Sequence, residues 1–176
     1  MHNFTLTRIT ELDLETLQSI GKQSFYETFA DFNDDENMRL YLEENFSLEK
    51  LKQELKTPGS EFYFIHLEEK PIAYLKINFA QAQTELKDPS SMEIERIYVL
   101  NGYHGHDFGQ TLFDKALQRA IEENISYLWL GVWEENKRAI NFYKKNGFVV
   151  FDQHIFKFGS ENQIDLMMKL VLNKIR

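Results

Sequence analysis

Near the amino end of the chain, apolar residues recur every three or four positions, which is the period of an amphipathic helix. Thr10 with Asp13 three residues later has the spacing of a capping box, and Ser47 can cap a later helix that Pro58-Gly59 ends. The pattern predicts three helices, carrying Leu14, Leu17, Ile20, Phe25 and Phe29, then Met38, Tyr41 and Leu42, then Leu48, Leu51 and Leu55.

Elsewhere the period falls to two residues, which is typical of strands. The polar segments Glu68-Glu69-Lys70-Pro71 and Gly159-Ser160-Glu161-Asn162 predict hairpin turns, and Gln81–Ser91 is expected to be a polar loop. The predicted strands are Phe4–Arg8, Glu61–Leu67, Ile72–Phe79, Met92–Leu100, Tyr127–Trp133, Phe148–Phe158 and Ile164–Leu172. Alternation in the fourth strand predicts one face with Ile94, Arg96 and Tyr98, and another with Glu93, Glu95, Ile97 and Val99.

The loop Gly102–Gly109 leads into the clearest helix of the chain, and Asn136–Asn146 predicts a short helix that Gly147 stops. The apolar stripe of the first of these helices is Leu112, Phe113, Ala116, Leu117, Ala120 and Ile121. Taken together, the elements predict an α+β fold in one domain over residues 1–176. Its central sheet is mixed but mainly antiparallel, with helices on both faces.

The chain carries 20 Lys and Arg against 28 Asp and Glu, a formal net charge of −8. An acidic chain has no counterion release to drive it onto phosphate backbones, so we expect no nucleic-acid partner. It has no Cys, which excludes disulfides, thiolate catalysis and cysteine metal sites. We see no leader sequence and no apolar run near the about 20 residues that span a bilayer, so we expect a cytoplasmic protein without a membrane partner.

A predicted strand, the loop Gly102–Gly109 and a predicted helix follow one another directly. This order points free backbone N–H groups and the positive end of a helix at one place, which favours an anion. The loop matches neither a Walker loop nor the GxGxxG pattern of dinucleotide-binding proteins. Taken alone, it fits a tight strand-to-helix turn equally well.

A second motif lies between residues 128 and 148. It consists of a strand, Asn136, Ala139 and then Phe142-Tyr143 shortly before Gly147-Phe148. This order resembles the carboxyl-terminal signature of the GNAT acetyltransferases. The segment Glu93–Val99, with the glycine-containing loop directly after it, is similar to the central strand and pyrophosphate loop of that family. The strong part of the resemblance covers about residues 92–150.

Within the family, the chain looks like the PaiA-type polyamine acetyltransferases. The stretches that carry this second resemblance are Phe25-Tyr26-Glu27-Thr28-Phe29, residues 37–47 and the Gly-Val-Trp-Glu-x-Asn segment that begins at Gly131. It implies spermidine, spermine or a related cationic amine as the acceptor.

The family resemblance implies acetyl-CoA as co-substrate, bound between the central strand and Tyr127–Trp133. Backbone groups of Ile97 and Val99, with Tyr98 between them, would bond the acetyl and pantetheine amides. Asn136 would contact the pantetheine arm. The residues implied in pyrophosphate binding are His104, Gly105, His106, Asp107, Phe108, Gly109 and Gln110.

The implied reaction is direct attack of a neutral primary amine on the thioester, without a covalent enzyme intermediate. Tyr143 would sit beside the sulfur; with an ordinary pKa of about 10, it is protonated at neutral pH and can donate to the departing thiolate. A carboxylate acting through water must take the proton of the amine. We expect Glu95 in this role, with Glu93 as the alternative. Outside its motif, Tyr143 would be interpreted as a core aromatic residue.

The loop departs from the family pattern Gln/Arg-x-x-Gly-x-Gly/Ala at two positions. His104 replaces Gln or Arg, and Asp107 replaces the middle Gly. A Cβ at residue 107 crowds close backbone approach, and its carboxylate repels a pyrophosphate. Asp adopts positive φ more readily than most residues, and His104 and His106 could return positive charge when protonated.

Several alternatives stay open on the sequence. The acceptor could instead be a protein amino terminus or another small amine, such as an amino acid or an antibiotic. The chain could also be a non-catalytic module that binds acyl-CoA or polyamine. Six acids between residues 31 and 44 would either attract a polycation or serve as helix caps and a solvated face. His104 and His106 lack a third ligand, so no metal is expected, and the oligomeric state is left open.

Overall fold

The computed structural model of this chain describes residues 3–172. Its strands are β1 (Phe4–Arg8), β2 (Ser60–Leu67), β3 (Lys70–Phe79), β4 (Ser91–Val99), β5 (Tyr127–Trp133), β6 (Val149–Phe158) and β7 (Glu161–Val171). They form one sheet in the order β1-β2-β3-β4-β5-β7-β6, in which only β4 and β5 are parallel. The longer helices are α1 (Leu14–Phe29), α2 (Asp35–Asn45), α3 (Leu48–Lys56), α4 (Phe108–Glu122) and α5 (Lys137–Lys145).

The helices cover both faces of the sheet, which confirms the predicted α+β class. On one face, buried residues of α1, α2 and α3 such as Leu17, Met38 and Leu51 form a core with β2 and β3. We call it the α1–α3 face. On the other, the α4–α5 face, α4 and α5 pack against β3, β4 and β5. The predicted apolar stripe of α4 ends early, because Ile121 is 65 % exposed.

The ends of the amino-terminal helices follow the predicted caps. Thr10 and Asp13 make the reciprocal capping box, although it encloses a short 3-10 turn just before α1. Ser47 Oγ accepts the backbone N–H of Lys50 at 3.2 Å at the start of α3. No helix of the described residues is long and apolar enough to cross a membrane.

Both predicted hairpins form, but each turn is shorter than predicted. Between β2 and β3 only Glu68 and Glu69 form the turn, with φ of 49° and 66°. Between β6 and β7 the turn is Gly159 and Ser160, so β7 begins three residues before Ile164. Two-residue hairpins favour positive φ because their twist then matches that of the strands.

The predicted alternation along β4 is wrong at its centre. Opposite Lys76 and Ile77 of β3, the register moves from Arg96 to Ile94, so Glu95 is the extra residue of a β-bulge. Ile94 therefore lies in the α4–α5 core and not beside Arg96.

Candidate active site

A gap opens between β4 and β5, the two parallel strands at the centre of the sheet. They pair only from Ser91 opposite Tyr127 to Glu93 opposite Trp129. Beyond these residues β4 continues to Val99 and β5 to Trp133 without pairing to each other. Backbone groups on the inner edges of both strands are thus available to a ligand.

The backbone of β4 faces this gap at alternate residues. Leu100 N–H donates to Ile72 C=O at 3.0 Å on the β3 side. In an antiparallel ladder such bonded positions alternate with positions whose N–H and C=O point the other way. Ile97 and Val99 therefore point their backbone groups toward the gap. Tyr98, between them, lies on the α1–α3 face with its ring stacked 5.8 Å from that of Tyr74.

The loop after β4 leads into α4, as predicted, but α4 begins before the predicted end of the loop at Gly109. The helix begins at Phe108, so Phe108, Gly109 and Gln110 belong to its first turn and not to the loop. Asp107 is its N-cap residue, with φ of 61° and no hydrogen bond from the helix to its side chain. Gly105 also has positive φ, 81°. Asp107 thus takes the left-handed conformation that Gly would adopt more readily.

Side chains of the loop region are held by local contacts. His104 Nε2 lies 2.6 Å from Val99 C=O, and its Nδ1 contacts Arg138 of α5. Burial lowers the pKa of His104. The hydrogen bond to Val99 opposes this shift, and the positive charge of Arg138 adds to it. His104 therefore stays neutral near pH 7 and does not return the positive charge that its protonation could have supplied. Gln110 donates to Asp114 and Asn146, and the ring of His106 lies 6.2 Å from that of Phe108.

The two predicted site residues of the second motif lie at opposite ends of α5. Asn136 is the N-cap, where its Oδ1 accepts the backbone N–H of Ala139 at 3.2 Å. Tyr143 is buried in the α4–α5 core between the rings of Phe142 and Phe148, at 5.5 and 5.7 Å. Burial raises the pKa of Tyr143 well above its ordinary value. The phenol is therefore protonated throughout the physiological range.

Glu95 lies in a network of buried charges, the bulge network, made of Lys76, Arg96, Glu54 and Glu95. Lys76 Nζ is 2.6 Å from Glu95 and 3.0 Å from Glu54, and Arg96 bonds Glu54 at 2.8 Å. Burial alone would raise the pKa of Glu95, but the charges of Arg96 and Lys76 lower it to about 2. A carboxylate held so far below neutrality is a weak proton acceptor. These surroundings are not those expected of a general base.

Glu93, two residues earlier, has different neighbours. Its oxygens accept the Oγ1 and backbone N–H of Thr84 at 2.6 and 2.8 Å and the side-chain amide of Asn78 at 3.0 Å. Burial raises the pKa of Glu93, and the negative charge of Glu95 raises it further. The hydrogen bonds from Thr84 act in the opposite direction. Asn78 also donates to Glu95 at 2.6 Å, so one amide joins both carboxylates.

Beyond the gap, β5 and the β6–β7 hairpin carry a second group of polar side chains on the α1–α3 face. His154 lies between two acids, with Nδ1 3.1 Å from Glu85 and Nε2 3.6 Å from Asp165. Burial raises the pKa of Asp165. A Cβ on the exposed Gly131 would lie 3.5 Å from His154 and 3.7 Å from Asp165. Because Gly131 has no side chain, the space next to these two residues stays open.

Aromatic rings of α1 and the turn after it border the same area. Trp133, at the end of β5, packs on Phe29 and Phe32, with ring centroids 5.8 and 5.2 Å apart. The side chain opposite Trp133 in β7 is that of Asp165. Among the six acids of residues 31–44, Asp34 caps α2, and Glu36 and Glu43 pair with Arg39. These three acids therefore have structural roles.

Sequence reasoning missed Arg138 and Asn78, together with Lys76 and the acids around His154. Arg138 stands two residues after the predicted Asn136, and that proximity could have drawn attention to it. The others lie on different strands or loops, so their meeting depends on the register of the sheet.

Comparison with known proteins agrees with this geometry. A family model described as the acetyltransferase (GNAT) family matches residues 15–148. An uncharacterized N-acetyltransferase in the pepI 3′ region of Lactobacillus delbrueckii subsp. lactis is 37% identical over 172 residues, which cover 98% of this chain and 99% of that protein. The spermidine N(1)-acetyltransferase of Thermoplasma acidophilum is 27% identical, over 80% of this chain and 84% of its own.

Among solved structures, the PaiA N-acetyltransferase from Thermoplasma acidophilum in complex with coenzyme A superposes with a TM-score of 0.80 at 24% identity. The match covers 97% of this chain and 99% of that one. The shared fold, the family match and the opened central strands lead to one conclusion. This chain is an N-acetyltransferase of the GNAT family.

Proposed function

We propose that this chain transfers the acetyl group of acetyl-CoA to a primary amine of a polyamine such as spermidine or spermine. The observation that carries the proposal is the gap between β4 and β5, with the backbone of Ile97 and Val99 facing it. The candidate site draws on elements from β3 to β7, so we assign the activity to one domain that spans the chain.

The residues around the gap fit an acyl-CoA. The backbone groups of Ile97 and the N–H of Val99, whose C=O already accepts from His104, would pair with the amides of the pantetheine arm as an added strand does. At the end of β4, the loop and the first turn of α4 offer backbone N–H groups to the pyrophosphate. The Nδ2 of Asn136 remains for the arm, since its Oδ1 caps α5. When bound, acetyl-CoA supplies the thioester that a neutral amine attacks directly.

Tyr143 and a β4 carboxylate have complementary proton chemistry. The phenol of Tyr143 keeps its proton because burial raises its pKa, so it can donate to a departing thiolate. The raised pKa of Glu93 makes this carboxylate a better proton acceptor than Glu95, which ion pairs hold ionised. We therefore assign the base role to Glu93, acting through water, and place Glu95 as a fixed charge that helps to raise the Glu93 pKa.

Two observations support a cationic acceptor. Asp165 lies beside the exposed Gly131, and Glu85 contacts the same His154 that Asp165 does, so an ammonium group in this area would gain from both carboxylates. The Thermoplasma relative at 27% identity carries the name of a spermidine N(1)-acetyltransferase. An acceptor with a second ammonium group would fit this acidic edge better than a neutral one.

The test is acetyl-CoA-dependent thiol release, followed with a thiol-reactive dye. The chain has no Cys, so it adds no thiol of its own. The panel compares spermidine and spermine with amino acids, an aminoglycoside and peptides with free amino termini. Release with the polyamines at the highest kcat/KM is expected. Release only with peptides or other amines would overturn the acceptor, and binding of acetyl-CoA without release across the panel would favour a binding module.

A further inference from the structure

A contact between the loop and α5 fixes the state of one histidine. His104 Nε2 is 2.6 Å from Val99 C=O, and a carbonyl oxygen can only accept. The hydrogen of a neutral ring therefore lies on Nε2. Nδ1 then carries a lone pair, and Arg138 Nη1 donates to it. The chain Val99–His104–Arg138 thus joins the end of β4 to the start of α5.

The loop has few charges to offer an anion. Residues 100–113 contain no Lys or Arg, and Asp107 adds a negative charge. Burial and the neighbouring Arg138 lower the pKa of His104, so its ring adds none at neutral pH. The guanidinium of Arg138 is always charged and has five N–H donors, of which His104 takes one. It comes to the loop from a different helix.

We propose that Arg138 is the cation that binds the pyrophosphate of coenzyme A, and that His104 holds it in position. This inference rests on the proposed function, because it assumes that the gap binds coenzyme A. The remaining N–H groups of a guanidinium suit phosphate oxygens, which they can bind in pairs. The loop itself lacks a positive charge, and Arg138 of α5 supplies one in its place. The neutral ring of His104 orients that arginine by accepting its hydrogen bond.

The experiment measures affinity by calorimetry for three probes: coenzyme A, dephospho-coenzyme A and pantetheine. Dephospho-coenzyme A keeps the pyrophosphate but lacks the 3′-phosphate, and pantetheine has neither. Arg138→Gln should lower the affinity for coenzyme A and for dephospho-coenzyme A by the same factor, about 10- to 100-fold. This is the range for the loss of a hydrogen bond to a charged group. Pantetheine should bind the variant and the wild type alike.

Lys137→Gln is the matched control. It removes the same charge one residue earlier in α5, where Lys137 bonds the carbonyl of Glu134 at 2.6 Å. It should change the affinity for coenzyme A less than threefold. Arg138 is exposed, so both variants should keep the wild-type melting temperature.

The positioning role of His104 is tested by a double-mutant cycle. His104→Ala should lower the affinity for coenzyme A less than Arg138→Gln does. In the Arg138→Gln background, His104→Ala should lower that affinity no further. Additive losses would overturn the positioning role.

Other outcomes separate the inference from the function. If the wild type binds coenzyme A and Arg138→Gln binds it equally well, the inference is wrong and the proposed function stands. Loss for coenzyme A but not for dephospho-coenzyme A would move Arg138 to the 3′-phosphate and overturn the pyrophosphate assignment. Absence of coenzyme A binding by the wild type would overturn both.

Discussion

The two faces of the sheet build their parts of the site in different ways. On the α4–α5 face and along the gap, local backbone geometry dominates: His104 bonds Val99 five residues away, and Asn136 caps Ala139 three residues away. On the α1–α3 face the contacts join distant positions, as Arg96 joins Glu54 and Gln163 joins Asn33 across 42 and 130 residues. Local motifs therefore identify the strand, the loop and the helix cap of the first part, although its contact between His104 and Arg138 spans 34 residues. Only the folded sheet assembles the second part.

The largest expected effect falls on the α4–α5 face. Tyr143→Phe should lower kcat by about 100- to 10,000-fold, because it removes the proposed acid and keeps the ring. The affinity for acetyl-CoA should change little. Tyr63→Phe is the control: it removes a phenol from the same core, on β2, and should leave kcat within about threefold. A Tyr143→Phe enzyme with wild-type kcat would leave this residue as a core aromatic only.

On the α1–α3 face, the bulge network gives the largest expected loss of stability. Glu95→Gln should lower the free energy of unfolding at pH 7 by about 3 kcal/mol, because it leaves Lys76 and Arg96 with less compensating charge. The folded-state pKa of Glu95 is about 2 against an ordinary 4.5. Its stabilisation is thus complete above pH 4.5 and disappears as the pH falls through 2. The effect of Glu95→Gln should shrink over that interval.

Glu93→Gln gives the opposite sign in the same measurement. The pKa of Glu93 is raised in the folded protein, so its ionisation destabilises the fold above that pKa and the penalty is relieved at lower pH. Wild type should therefore gain stability relative to Glu93→Gln as the pH falls, while it loses stability relative to Glu95→Gln. Parallel pH profiles in chemical denaturation would contradict the distinction between the two carboxylates.

These two acids also mark what the sequence could not predict. The motifs predicted the strand, the loop and the two carboxylates, but alternation alone could not reveal the bulge at Glu95. Lys76, which helps to hold Glu95 ionised, belongs to β3, and Glu54, which pairs with the same Lys76, belongs to α3. The preference between Glu95 and Glu93 therefore depended on tertiary contacts that local patterns do not encode.

The same limit explains the outcomes elsewhere in the fold. The helix stripes and the Gly147 stop were predictable because their period and end signals are local; Gly147 has the positive φ of 93° that was expected after α5. The start of β7 at Glu161 was not, because its first residues pair with Phe158 and Lys157 of β6 without an apolar pattern of their own. The roles of the loop residues stay predictions.

A smaller effect is expected at the β6–β7 turn, where steric fit can be separated from backbone strain. A Cβ at Gly159, which has φ of 58°, would overlap the side chain of Asn37 in α2. Gly105 has φ of 81°, and a Cβ there would meet nothing within 4 Å. Gly105→Ala should cost about 1 kcal/mol of unfolding free energy, from backbone strain alone. Gly159→Ala should cost about 2 kcal/mol or more, because the overlap adds to the strain.

The control for Gly159→Ala removes the amide of the Asn37 side chain, which a Cβ at residue 159 would overlap. Asn37→Ala shortens the overlapping side chain, so the extra cost of Gly159→Ala over Gly105→Ala should fall in that background. Chemical denaturation of the four variants and the wild type measures each difference. Equal costs at the two glycines in the wild-type background would mean that the hairpin does not depend on its contact with α2.

The smallest expected effect is at Asp107, where the loop departs from the family. Asp107 and Asn124 stand at opposite ends of α4, and both have positive φ, 61° and 56°. Gly at either position should stabilise the fold by up to about 1 kcal/mol, because Gly adopts this conformation without strain. Only Asp107→Gly should also raise the affinity for coenzyme A, by about two- to fivefold, since it removes a carboxylate from the phosphate end. Asn124→Gly removes no charge and should leave that affinity unchanged. If Asp107→Gly gains stability without affinity, its carboxylate does not face the pyrophosphate, and Arg138 would then act without an opposing charge.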